Sequence, residues 1–348
     1  MFAIADLQIG PGHTPFVIAE MSGNHNQSLD RALDIVDAAA DAGAHAIKLQ
    51  TYTADTMTLA LTEGEFTIKD PASIWVGQNM HALYQQAHTP WEWHAPIMAR
   101  AKERGLLCFS SPFDESSVDF LETLNVPAYK IASFECIDLP LIRKVAGTGK
   151  PMIISTGMAT IAEIAEAVDA ARAAGCKHVA LLKCTSTYPA SPENTNIKTI
   201  PHMRELFGCE VGLSDHTMGV GASIAAVAMG ASIIEKHFTL SRADGGVDSS
   251  FSLEPAELKC LVIESERAWQ SLGQIKYGPT LAEEKARSRR RSLYIAQDMQ
   301  AGDILTSANL RRIRPGHGLA PKYYELLLGR KVGQDVPKGT PLSWDLLG

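Results

Sequence analysis

Short apolar runs alternate with longer amphipathic stretches from the start of the chain to about residue 272. The runs are FVIAEM (16–21), AIKLQT (46–51), LLCFSS (106–111), AYKIAS (128–133), PMIIST (151–156), VALLKCTS (179–186), EVGLSDHT (210–217) and SIIEKHFTL (232–240). Each is short enough and apolar enough for a buried strand. Between them, LDRALDIVDAAADAG and IAEIAEAVDAARAAG space apolar residues three and four apart and finish on a glycine. That is the pattern of a helix with a glycine stop. Eight strands, each followed by a helix, over about 250 residues predict an α/β fold of the (β/α)8 TIM-barrel type. A doubly wound sheet is the rival, but it rarely runs through eight successive units, and no GxGxxG opens the first helix.

Two regions depart from the alternation. Residues 52–92 are too long for a simple connection and contain the helix-like QNMHALYQQA, so they read as an insertion over the barrel mouth, in the place of a lid. After residue 272 the periodicity stops. Residues 273–290 are polar and basic and read as a linker, and 291–348 read as a small β-rich domain. Within that domain DMQAGDILTSANL (298–310) and DVPKGTPLSWDLL (335–347) share an aspartate, a glycine four on, a leucine three beyond and a closing leucine. The match predicts internal pseudo-symmetry. The barrel domain is therefore expected over 1–272.

Composition narrows the function. Hydrophobic residues make up 45% of the chain, which is enough for a sizeable core. A net charge of −7 argues against general nucleic-acid binding and requires any anionic ligand to be drawn by a local cluster of cations. The six cysteines include no CxxC pair and read as reduced thiols. With no secretory signal and no apolar stretch of membrane-spanning length, the expected location is the cytoplasm, without membrane association.

The chemistry belongs at the strand ends, where barrels of this type carry their sites. Those ends hold Glu20, Lys48 and Gln50, Ser110 and Ser111, Lys130 with Ser133 and Glu135, Ser155, Ser186 with Tyr188, Ser214-Asp215-His216 and Glu235-Lys236-His237. So many polar groups are costly in a packed interior. Lys48 and Lys130 lie on the second and fourth strands, which feed the same interior layer. Two ammonium groups placed there, with Ser133, Ser155 and Ser214 nearby, suit a phosphate, a carboxylate or a ligand carrying both. Each lysine could instead pair with a structural acid. Alternation sets His216 and His237 on facing sides of neighbouring strands about 4.8 Å apart, where both imidazoles can reach one metal ion. Two protein ligands leave open positions, as a Lewis acid acting on substrate requires. Glu20 ends the first strand, next to the eighth, so its carboxylate is expected to face this metal as an acid/base or to hold a sugar hydroxyl. Alternatively it balances Lys48. Spacing alone does not single out Arg314.

AEMSGNHN (19–26), KLQT (48–51), SSPFD (110–114), YKIASFE (129–135), STGM (155–158), CTSTYP (184–189), GLSDHT (212–217), EKHFT (235–239) and RPGHG (314–318) together resemble the sialic acid synthases. The resemblance covers the chain from about residue 15 to its end, in order. It implies a (β/α)8 barrel followed by a small antifreeze-like (SAF) domain. It further implies that Lys48, Lys130, Ser133, Ser155 and Ser214 hold phosphoenolpyruvate, and that His216 and His237 bind manganese or magnesium. Glu20, Tyr188 and Asp248 match sugar-contacting positions, and Glu135 matches an acid near the reacting carbons. Arg314 matches an arginine delivered by the partner subunit of a domain-swapped homodimer.

Three departures from the N-acetylneuraminate-forming members matter. Met21-Ser22 replace an isoleucine-glycine pair, Leu49-Gln50 follow the lysine, and Ser186 stands where an asparagine is usual. Ser186 is thus expected at a phosphoenolpyruvate contact with a hydroxyl in place of the amide. AEMSGNHNQS, KLQTYTADTMT and CTSTYPA are similar to the pseudaminic acid synthase branch, whose sugar is 2,4-diacetamido-2,4,6-trideoxy-L-altrose. The implied reaction joins that sugar to phosphoenolpyruvate and releases phosphate. N-acetylneuraminate or legionaminate synthesis is the alternative within the family. A Schiff-base aldolase and a non-enzymatic binding role for the C-terminal unit are the alternatives outside it. Paired lysines and paired histidines argue against the aldolase. Arg311, Arg312, Arg314 and Arg330 argue against a flat ice-binding face.

Overall fold

The computed structural model describes residues 2–71 and 73–348. The chain divides into one unit ending at Gly273 and a second spanning Gln274–Gly348. The break falls one residue past the end of the expected barrel domain, and the polar segment expected as a linker groups with the second unit.

The first unit opens with an antiparallel hairpin, β1 (Phe2–Ile4) and β2 (Leu7–Ile9). The sequence pattern did not predict it, because three residues per strand are too few to establish an alternation. The barrel follows: β3 (Phe16–Glu20), β4 (Ala46–Thr51), β5 (Leu107–Pro112), β6 (Tyr129–Ile131), β7 (Met152–Ser155), β8 (Val179–Cys184), β9 (Glu210–Ser214) and β10 (Ile233–His237). The strands are parallel and closed in sequence order, with β10 pairing to β3. The (β/α)8 expectation therefore holds, and every expected run contributes its strand.

The helices form where the periodicity placed them. The helix Leu29–Asp41 is capped by the Ser28 side chain on the Arg31 amide, and Ile161–Ala173 by a Thr160/Glu163 capping box. Gly43 and Gly175, just past them, take the positive φ that such a stop needs. Outward residues of the strands and inward faces of the helices make one large apolar cluster that includes Val17, Ile47, Ile154, Leu181 and Ile234. A second cluster fills the lumen, where Phe2, Ile4 and Ile9 of the hairpin pack with Phe16, Ile18, Phe109, Ile153, Leu182 and Ile233.

Residues of the 52–92 insertion form short helices at Ala54–Met57 and Met80–Ala87, the second lying in the predicted QNMHALYQQA segment. The insertion packs on the loops that follow β3 and β10. Gln27 donates to the carbonyls of Gln86 and His88, and the Trp75 indole donates to the Val247 carbonyl.

In the second unit, β11 (Ser292–Ile295) pairs with β12 (Leu310–Ile313). The two sequence phrases meet as a pseudo-symmetric pair. Met299 and Val336 exchange both backbone hydrogen bonds, at 2.9 and 2.8 Å. Asp335 accepts from the Ala301 amide and Asp298 from the Lys338 amide, each at 2.8 Å and each amide three residues past the other aspartate. Leu305 and Leu342 are buried in the same small core. Among the described residues no helix is long and apolar enough to cross a membrane.

Candidate active site

Along each barrel strand every second side chain enters the lumen. Deep in the barrel these are apolar. At the C-terminal ends the same alternation delivers Glu20 from β3, Lys48 from β4, Lys130 from β6, Ser155 from β7, Ser214 from β9 and Glu235 from β10, all buried. The polar layer thus rests on a dry floor, and its charges must be matched within the lumen.

They are matched in pairs. Lys48 Nζ lies 2.6 Å from Glu20, which also accepts from Gln50 at 2.9 Å. Lys48 donates to Ser111 Oγ at 3.2 Å. Lys130 Nζ donates to Glu235 Oε1 at 3.2 Å, and Ser214 Oγ donates to the same oxygen at 2.9 Å. Glu235 also stands 3.9 Å from Lys48. Burial raises the Glu235 carboxyl, but Lys130 and Lys48 outweigh it and hold the group well below the ordinary range. Burial pushes Glu20 up, against the pull of Lys48. The Glu20 carboxylate lies against Lys48 and Gln50, the arrangement expected of an acid that balances Lys48. Glu235, which the sequence placed in the polar ring without a role, is the close partner of Lys130 and stands at the edge of ion-pair range from Lys48.

Beside the lysines is a cluster of hydrogen-bonding groups. The Gly157 amide donates to Ser133 Oγ at 3.1 Å. A Cβ at Gly157 would lie 2.1 Å from Ser186 Oγ and 2.7 Å from Ser133 Oγ, so these groups close in on bare backbone. Ser155 Oγ is buried without a hydrogen-bond partner. Cationic heads beside hydroxyls form the donor set that phosphate or carboxylate oxygens require.

His216 and His237 sit at the rim, with ring centroids 5.4 Å apart. Strand β9 stops at Ser214, so His216 is carried by the loop beyond it rather than by the strand. Its Nδ1 lies 2.9 Å from the Thr185 carbonyl, which leaves Nε2 for a ligand. His237 Nδ1 is buried without a hydrogen bond, 3.7 Å from Asp248. Burial and the neighbouring His216 push its protonation well down, so the ring is neutral and offers a lone pair. Among the described residues no group of three or more His, Cys, Asp or Glu is arranged to hold a metal. The orphaned imidazole nitrogen, with a second ring nitrogen and a carboxylate nearby, nevertheless suits a divalent cation that completes its shell from solvent or substrate.

Tyr188 packs against this pair, tilted to His216 with centroids 4.4 Å apart and edge-on to His237 at 6.3 Å, and Phe251 packs edge-on to His237 at 4.9 Å. Asp248 accepts a short hydrogen bond from Ser22, and burial raises its carboxyl. Glu135 lies in the turn after β6, its Oε2 buried and unpartnered. Burial pushes its carboxyl up to about 7. Cys184, which the sequence reading passed over, ends β8 with its sulfur 3.8 Å from both Ser186 Oγ and His216 Nδ1. Its inward position at a strand end was the available signal. Arg314 belongs to the second unit, just after β12.

Comparison with known proteins adds a second line. The sequence matches the NeuB family over residues 35–277 and the SAF domain over residues 290–348. It is 42% identical to the pseudaminic acid synthase of Campylobacter jejuni over 340 residues, covering 97% of this chain and 98% of that one. The N,N'-diacetyllegionaminic acid synthase of the same species is 35% identical over 318 residues, covering 90% and 94%. A crystal structure of N-acetylneuraminic acid (sialic acid) synthetase from Leptospira borgpetersenii in complex with citrate superposes with a TM-score of 0.72. It is 32% identical and covers 82% of this chain and 94% of that one.

Proposed function

The chain belongs to the NeuB family, and we propose that it condenses phosphoenolpyruvate with 2,4-diacetamido-2,4,6-trideoxy-L-altrose to give pseudaminic acid and phosphate. The observation that carries the reaction is the pair of buried lysines, each with its own glutamate, beside a cluster of serine hydroxyls. The choice of sugar rests on the higher identity to a pseudaminic acid synthase than to a legionaminic acid synthase of the same species.

Lys48 and Lys130 are the counter-charges for the enol phosphate. Ser133, Ser155, Ser186 and Ser214 fix its orientation so that C3 faces the open-chain aldehyde, with the Gly157 amide holding Ser133 in place. His216 and His237 would hold a divalent ion, manganese or magnesium, which when bound supplies Lewis-acid polarisation of the sugar's carbonyl. Carbon–carbon bond formation leaves positive charge at C2, where water adds, and phosphate departs with its bridging oxygen by C–O cleavage. Glu135, whose carboxyl titrates near neutrality, is suited to exchanging a proton with this water. Glu20, Tyr188 and Asp248 hold the sugar, and Tyr188 and Phe251 wall it from solvent. Arg314 completes the site of the partner subunit in a domain-swapped homodimer, its planar fork gripping an acetamido oxygen. Six free cysteines support work in the cytoplasm.

The test is stoichiometry. Sugar-acid formation should equal phosphate release, with phosphoenolpyruvate and not pyruvate as donor, and borohydride should trap no adduct. A trapped adduct at Lys48 or Lys130 would replace condensation with Schiff-base chemistry.

A further inference from the structure

In the closed order β10-β3-β4-β5-β6-β7-β8-β9, strand β6 lies directly across the lumen from β10. Glu235 on β10 nevertheless reaches Lys130 on β6, at 3.2 Å. Nothing in the barrel's own assembly calls for that contact. Strand β10 is already held by its backbone pairing to β9 and β3, and Glu235 and Lys130 are 5% and 2% exposed. Burying a charge pair inside a barrel is a poor source of stability compared with the aliphatic side chains that fill the layer beneath.

The arrangement gives each lysine one carboxylate. Glu20 is committed to Lys48 at 2.6 Å, and Glu235 to Lys130. Glu235 does more than neutralise. Its Oε1 receives Lys130 and Ser214 together, so the ammonium and the hydroxyl are fixed relative to one another. Its Oε2 is buried without a hydrogen bond, 3.9 Å from Lys48. One carboxylate thereby sets the positions of three of the groups assigned to phosphoenolpyruvate.

We propose that Glu235 is a positioning residue for the anionic substrate: it spans the lumen to hold Lys130 and Ser214 in register and keeps Lys130 apart from Lys48. The inference rests on the phosphoenolpyruvate reading above. Glu235 acts through the lysines and the serine and needs no contact with the reacting carbons. Its loss therefore falls on phosphoenolpyruvate binding and leaves the sugar's subsite intact.

The experiment compares Glu235→Gln and Glu235→Asp with the unaltered full-length protein, each loaded with manganese. Phosphoenolpyruvate binding is measured by calorimetry without sugar, and steady-state constants are measured for both substrates. Glu235→Gln keeps the size but loses the charge. It should raise the Kd and KM for phosphoenolpyruvate at least tenfold, with the sugar's KM within twofold and kcat reduced no more than about threefold. Glu235→Asp, which keeps the charge on a shorter stem, should recover part of the loss. Manganese affinity and melting temperature should stay near those of the unaltered protein. Unchanged phosphoenolpyruvate affinity, a loss confined to kcat, or a matched rise in both KM values with a lowered melting temperature would each overturn the role. Failure of the unaltered protein to bind phosphoenolpyruvate would instead remove the reading on which the inference stands.

Discussion

Replacing Gly157 with alanine adds one methyl group where the structure leaves no room for it. Gly157 lies outside the left-handed region, so the backbone accepts alanine without strain. The new Cβ would stand 2.1 Å from Ser186 Oγ, 2.7 Å from Ser133 Oγ and 3.0 Å from Ser133 Cβ. Comfortable separation is about 3.5 Å, so Ser186 Oγ must retreat by roughly 1.4 Å or change rotamer, and Ser133 must shift by less. Both are tips of short side chains, which keeps the cost to the fold toward the lower end of the roughly 1–3 kcal/mol range for overpacking. The cost to the ligand is larger. A hydrogen bond to a charged oxygen contributes about 1.5–3 kcal/mol. At 1.4 kcal/mol per tenfold, losing one raises the KM for phosphoenolpyruvate about ten- to a hundredfold. Initial rates of phosphate release across a range of phosphoenolpyruvate concentrations, at saturating sugar, give that constant. The KM for the sugar should move less than twofold. A phosphoenolpyruvate KM within twofold of the unaltered enzyme, with the melting temperature unchanged, would refute the assignment of Ser133 and Ser186 to the anion.

Three further outcomes follow from the same site. Exhaustive chelation should abolish turnover and manganese or magnesium should restore it, while His237→Ala should lose activity at an unchanged melting temperature; full turnover after chelation would remove the metal from the mechanism. Burial raises Glu135 from 4.5 to about 7, so the folded state favours its protonated form, and the stability this contributes is complete below about pH 4.5 and lost as pH rises through 7. Glu135→Gln should therefore melt higher than the unaltered protein at pH 8 and alike at pH 4, and equal melting at both would show that the carboxyl ionises without penalty. Mixing inactive Arg314→Ala with inactive His237→Ala subunits should recover some activity if the arginine is delivered in trans, and no recovery with proven subunit exchange would place it elsewhere.

The barrel was legible because eight strands repeat one signal, a short apolar run ending in polar residues, and helices such as Leu29–Asp41 and Ile161–Ala173 end on a readable glycine. The hairpin at residues 2–9 was not, because its strands are too short to alternate and it shows itself only by packing under the lumen. The residues with chemical potential could be picked out from their positions at strand ends, but their pairing could not. Lys48, Lys130 and Glu235 come from strands separated by long stretches of sequence, and which acid takes which lysine depends on barrel closure and side-chain reach. For the same reason the sequence leaves open whether Glu20 turns to the histidines or to Lys48, which lies directly beside it in register on β4. The internal repeat of the second unit was visible as words, and its physical content, reciprocal aspartate caps on Ala301 and Lys338, needed coordinates.

The sugar that the site accepts is decided by a three-way comparison of kcat/KM. A pocket fitted to a 6-deoxy diacetamido sugar offers N-acetylmannosamine a donor with nothing to bind and meets its extra hydroxyl with the place of a methyl group. An unpaired buried donor costs about 1–3 kcal/mol, which corresponds to about ten- to a hundredfold in rate. With phosphoenolpyruvate saturating and phosphate release as the readout, 2,4-diacetamido-2,4,6-trideoxy-L-altrose should exceed N-acetylmannosamine at least tenfold in kcat/KM. It should also exceed the mannose-configured diacetamido sugar. Equal or reversed preference for N-acetylmannosamine would make the protein an N-acetylneuraminate synthase, and preference for the mannose-configured sugar a legionaminate synthase; either result would overturn pseudaminic acid as the product.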